Sequence, residues 1–194
     1  MNTNNITTGV RRTLGGMYRA ASGTSLPTDA TTTLASAFKD LGYIHEDGVT
    51  KTKSRETVEV KDWAGETVKV VKTQDAIEYS FKAIEFLNED TIKAVYGSNN
   101  VTGTVATGLA IVENNSPLEE AVYVMDEVSL DGVLMRTVIP RGVISELGDE
   151  IHKKDEVLSY DMKLKALPDA SGNSTYKYMI QGPAGTTGAT GASN

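Results

Sequence analysis

The chain has 194 residues, enough for one ordinary domain with a real hydrophobic core, and its 19 basic against 26 acidic residues give a formal charge of -7. That balance disfavours tight sequestration of nucleic acid, which needs clustered Lys and Arg facing phosphates. The absence of cysteine excludes disulfides, thiolate metal sites and a cysteine nucleophile.

Residues 1–16 are polar with Gly9, Gly15 and Gly16, and they read as a flexible N-terminal arm. They lack the apolar stretch of a signal peptide, and no later segment approaches the roughly 18 apolar residues of a membrane span, so a soluble, non-secreted protein is expected. A strand-like run covers 17–21. Leu34, Phe38 and Leu41 at helical spacing, with Gly42 as a stop, predict a short helix over Thr32–Leu41. Tyr43-Ile44 then begins an extended segment, and Asp47-Gly48 is a turn dipeptide. Val58/Val60 and Val68/Val70 alternate on either side of an Ala64-Gly65 turn. At 77–83, Ile77, Tyr79, Phe81 and Ala83 oppose Glu78, Ser80 and Lys82, the period of a half-buried strand.

A second helix is predicted from Asn88, where Asn88-Glu89-Asp90 supplies an N-cap and acidic first turn, Ile92, Val95 and Tyr96 share a face, and Gly97 ends it. Strand-like runs follow at 103–113, 120–130 and 133–144, with a turn at Asp131-Gly132. The clearest alternation is at 158–166, and after Ser171-Gly172-Asn173 a last strand carries Tyr176, Tyr178 and Ile180. Residues 182–194, "GPAGTTGATGASN", read as a flexible Gly-rich C-terminal tail, with too few triplets and too little proline for collagen. The sum is one mainly β, mostly antiparallel domain over 17–181, with short helices that each plug one side of a sheet and an arm at each end.

Few residues invite a chemical reading. His45-Glu46-Asp47 places an imidazole beside two carboxylates in a chain with two histidines. Neighbours on an extended chain point to opposite faces, so His45 and Glu46 do not converge on one ion, and the cluster reads as the charged entrance to a loop. His152 sits in the solvated run "DEIHKKDE". No phosphate-binding loop, dinucleotide loop or nucleophile elbow is present, and the carboxylates are mostly the polar half of strand alternation. Asn5, Asn100 and Asn173 begin Asn-x-Thr triplets that carry no functional weight without a secretion signal. No catalytic residue, metal site or cofactor is expected. Arg11-Arg12 and Lys51, Lys53 and Arg55 are the basic clusters; the second reads as a surface loop or as half of a charged contact with another copy of the chain. Trp63, the sole tryptophan, lies in "KDWAGE", either buried in its own core or packed against a neighbouring subunit.

Residues 22–73, "SGTSLPTDATTTLASAFKDLGYIHEDGVTKTKSRETVEVKDWAGETVKVVKT", resemble the major tail tube proteins of long-tailed, siphovirus-type bacteriophages. "AIEYSFKAIEF" and "NEDTIKAVYG" continue the match, which covers about residues 17–97 well. The resemblance implies a β-sandwich or barrel flanked by a helix. It also implies a structural virion protein: six copies form a ring, the inner sheets join into one barrel around a channel, and rings stack through the terminal arms and a long loop, here about Asp47–Glu66. By the same resemblance the partners are the chain itself, a tape-measure protein, tail terminator and distal tail or baseplate proteins. DNA passes without specific binding, no membrane is involved, and assembly takes place in the host cytoplasm. Arg11, Arg12, His45, Glu46, Asp47, Lys51, Lys53, Arg55 and Trp63 become candidates for inter-subunit contact. The rival reading, a monomeric β-sandwich module such as a carbohydrate-binding domain, wants a row of exposed aromatics, and aromatics are 6% of the chain.

Overall fold

The computed structural model describes residues 9–11, 16–117, 119–155 and 157–182. They form strands β1 (Gly9–Arg11), β2 (Met17–Ala21), β3 (Lys39–Asp40), β4 (Ile44–Lys61) and β5 (Thr67–Ala83), then helix α1 (Glu89–Tyr96). Strands β6 (Val101–Thr104), β7 (Gly108–Ile111), β8 (Ala121–Ser129), β9 (Val133–Leu147), β10 (Tyr160–Leu167) and β11 (Tyr176–Gln181) follow. Nine strands share one antiparallel sheet, and β6–β7 is a separate hairpin. The mainly β fold with a flanking helix is thus the one expected.

The β8–β9 hairpin is the spine, closed by the predicted Asp131-Gly132 turn, where Gly132 has φ 79°. On one side β2 pairs with Ala121–Met125 of β8 and β1 with Glu127–Ser129, so residues 9–11 of the expected N-terminal arm extend the sheet. On the other side β10 pairs with the end of β9 and β11 with its beginning. The break between them falls at Pro140, which has no N–H to donate; there Ala121↔Gly142 is followed by Tyr123↔Ile139, placing the proline in a bulge. β5 and then β4 continue outward from β10.

Both faces of the spine are buried, which is why "AVYVM" is continuously apolar rather than alternating. One face, with Tyr79, Phe81, Tyr123, Ile139, Met162 and Leu164, is covered by α1 through Ile92 and Ala94. The helix is built as predicted: the Asn88 side chain accepts from the Asp90 and Thr91 N–H groups, and Gly97 ends it at φ 88°. The other face, Ala20, Val122, Val124 and Val138, is covered by residues 22–38 with Leu26, Leu34 and Phe38.

That covering strap replaces the predicted Thr32–Leu41 helix. Leu34 and Phe38 do pack inward, but the backbone bonds elsewhere: the Asp29 carboxylate accepts from the Thr31 and Thr32 N–H groups, both at 2.6 Å. These bonds hold the Asp29 carboxyl well below the usual carboxylate range. From beneath, buried Arg136 donates to the Asp29 and Thr32 carbonyls at 3.1 and 2.8 Å, and forks onto Asp126 with two bonds of 2.7 Å. Three consecutive threonines and a competing side-chain acceptor disfavour a helix, and the guanidinium fixes the alternative. The expected run at 103–113 is likewise two short strands, turned at Thr104–Gly108 where Gly108 has φ 106°.

Candidate assembly surfaces

The long loop expected at Asp47–Glu66 is a strand, a turn and the start of a second strand. β4 and β5 pair from Ile44↔Ala83 to Lys61↔Thr67. Asp47-Gly48 is correspondingly not a turn between elements but a bulge within β4: Ile44 faces Ala83, Val49 faces Phe81, and Gly48 takes φ 70°. The bulge holds the histidine cluster. His45 Nδ1 lies 2.8 Å from Asp47 Oδ2, as i,i+2 neighbours on one side, while Glu46 is exposed beside them. Among the described residues no three His, Asp or Glu side chains converge as metal ligands would.

Farther out, Lys53, Arg55 and Lys72 surround Asp75 at 3.7, 3.9 and 2.8 Å. The hydrogen bond from Lys72, with the charges of Lys53 and Arg55, holds the Asp75 carboxyl below its ordinary range. Lys51 Nζ sits 5.5 Å from the centre of the Tyr79 ring. The basic stretch therefore lies on a strand rather than a loop, and two of its three cations share a partner within their own hairpin. Arg11 lies in β1 opposite Glu127; Arg12 lies outside the described residues.

Beyond Ala76 the β4–β5 hairpin has left β10 behind and projects as a bare two-stranded ribbon. At about 3.3 Å per residue, Ser54–Lys61 carries it roughly 25 Å past the sheet. Every residue from Thr50 to Lys72 is exposed. Val58, Val60 and Val71 occupy one face, Val68 and Val70 the other. At the tip, Asp62 closes the turn by accepting the Glu66 N–H at 2.8 Å, and Trp63 is fully exposed. Burial of Trp63 in its own core is thereby overturned: no other element among the described residues covers the turn.

Two further surfaces are uncovered. Among the described residues no strand pairs with the outer edge of β1 or β11, and β11 exposes Met179 and Ile180 on alternate faces. A groove of about 470 Å³ lies between α1, the β6–β7 hairpin and the start of β10. Phe86, Leu87, Ile92, Tyr96, Val105, Leu109, Ile111 and Tyr160 line it together with Glu113 and Glu150. The Phe86 and Tyr160 rings stack at 4.6 Å, and Tyr96 meets Tyr160 edge-on at 6.0 Å. Burial, then the Glu150 and Glu113 carboxylates, push the Tyr96 phenol above its ordinary range.

A family model described as phage tail tube protein matches residues 1–189. The chain belongs to the phage tail tube protein family. No curated protein sequence matches it. Membership makes the chain a structural component of a phage tail, and a tube is built by association of like subunits. Among the described residues, the ribbon, the open edges and the groove are surfaces that this tail tube protein leaves uncovered. Trp63 stands at the turn that Ala64-Gly65 predicts, whereas the valines on either side alternate as strand residues do and yet are exposed on both faces. The adjacent Val70-Val71 was the one available signal, since alternation buries only one of two neighbours. Leu87 and Val105 carried no periodic signal at all.

Proposed function

We propose that six copies of the chain close into a ring and that rings stack into the tail tube of a siphovirus-type phage. The tube forms around a tape-measure protein, is bounded by terminator and distal tail proteins, and is assembled in the host cytoplasm. The ribbon is the observation that carries this reading. An isolated two-stranded hairpin is marginal in water, and this one also exposes five valines and the sole tryptophan, so it is built to be covered by another molecule. The open edges of β1 and β11 supply the lateral contact, since edge pairing between neighbours extends the β1–β8–β9–β11 sheet around a ring. Residues 17–181 form the tube domain, and 1–16 and 182–194 serve as arms, β1 being the stretch of arm paired in its own sheet. Arg11, Arg12, the His45-Glu46-Asp47 bulge, Lys51, Lys53, Arg55 and Trp63 contribute to contacts between copies. The net charge of -7 suits a conduit through which DNA moves without being held.

Negative-stain electron microscopy of the concentrated protein, alone and with tail initiator components, tests the reading. Rings and hollow tubes are expected. A protein that remains dispersed under both conditions refutes it.

A further inference from the structure

Trp63 and the groove beside α1 are complementary in chemistry. The tip offers a fully exposed indole, which has a large apolar body and one N–H donor. The groove offers a floor of stacked and edge-on aromatic rings, an exposed aliphatic rim at Leu87 and Val105, and carboxylate acceptors at Glu113 and Glu150. Its volume of about 470 Å³ falls in the range of sites that take a bound organic group. Charge does not carry the match, since Glu59, Asp62 and Glu66 lie beside Lys61 and Lys69 at the tip; the apolar body of the indole and its N–H donor do.

We propose that Trp63 of one copy inserts into the groove between α1 and the β6–β7 hairpin of another copy, with its indole N–H donating to Glu113 or Glu150. A second copy is the occupant because the same chain carries both halves of the contact and belongs to a family that builds a tube of like subunits. The inference rests on the assembly reading above and names the socket that the ribbon fills. The contact is heterologous, one molecule's tip in the next molecule's groove, so it propagates along a stack instead of closing on itself.

Trp63 is the only tryptophan, so its fluorescence reports this contact without interference. In the dispersed protein the emission is that of a water-exposed indole, freely quenched by acrylamide. On assembly it shifts to the blue and quenching falls several-fold. Leu87→Asp and Val105→Asp change exposed side chains and leave the far-UV circular dichroism unchanged, and they abolish either the shift or tube formation. Because the chain has no cysteine, an Ala64→Cys protein assembled with a Leu87→Cys protein and treated with a thiol oxidant such as diamide yields mixed disulfide dimers joining position 64 to position 87. Tubes in which Trp63 stays water-exposed overturn the inference and leave the assembly reading standing. So does a blue shift that persists in tubes of both groove variants, or the absence of mixed dimers from assembled tubes. Failure of the wild-type protein to form tubes overturns both.

Discussion

Replacing Arg136 with methionine is expected to be among the most damaging single changes in the nine-stranded sheet. Arg136 is 2% exposed and Asp126, directly opposite it on β8, is 5% exposed. The fork between them is bidentate, and the same guanidinium holds the strap through the Asp29 and Thr32 carbonyls. Arg136→Met leaves a buried carboxylate unpaired, a loss of about 3–5 kcal/mol, and two carbonyls without their donor. At about 2–4 °C per kcal/mol for a chain of this size, the melting temperature falls by roughly 6–20 °C. Far-UV circular dichroism in urea is the suitable assay, because Trp63 at the ribbon tip does not report on the core. Adding Asp126→Leu to Arg136→Met removes the orphaned charge and recovers part of the loss, and the two changes are strongly non-additive. A loss under about 1 kcal/mol for Arg136→Met, or strict additivity in the pair, refutes the view that this ion pair clamps the strap.

Three other outcomes are expected. Gly142→Ala places a methyl 2.6 Å from Tyr123 Cδ2 and 2.9 Å from Leu164 Cδ1 at the heart of the spine, and destabilises by about 1–3 kcal/mol in urea titration. Val68→Asp with Val70→Asp, both exposed in the single molecule, shifts the unfolding midpoint by no more than about 0.5 kcal/mol, yet sedimentation shows loss of stacked assemblies. Hydrogen bonds from Thr32 and Thr31 depress the Asp29 pKa in the folded state. A group whose folded pKa lies below its unfolded value contributes stability above the unfolded pKa, near 3.9, and loses it as pH falls through the folded one. The wild-type unfolding midpoint therefore declines from about pH 4 downward, and Asp29→Asn makes that decline shallower; an unchanged slope contradicts the capping role.

Much of the fold was legible because alternation and turn chemistry act locally. "YDMKLKA" could bury only one side, and Asn88, Asp131-Gly132 and Ala64-Gly65 each carry their own cap or turn signal. The strap has the sequence pattern of a helix because the forces that shape it are distant: Leu34 and Phe38 have helical spacing, but Arg136 lies more than a hundred residues away. The ribbon was half legible. Its strands and tip turn follow from sequence, whereas its exposure does not, since "VEV" and "VKVV" read the same whether a sheet or a neighbouring molecule covers them. The sequence reads His45-Glu46-Asp47 as the charged entrance to a loop, whereas the bulge that pairs His45 with Asp47 depends on how β4 lies along β5. The groove was invisible because, although most of its lining falls within residues 86–113, the way the β6–β7 hairpin lies beside α1 and the Tyr160 ring that completes the aromatic floor are set by tertiary packing.

The most direct test of the account is a cryo-electron microscopy reconstruction of the assembled protein with helical or rotational symmetry refined from the images. The expected result is a hollow tube of stacked six-copy rings, with the β1–β8–β9–β11 sheets continuous around the channel and each β4–β5 ribbon reaching into the adjacent ring. A closed oligomer that does not stack, or a tube whose ribbons lie free in solvent, would contradict it.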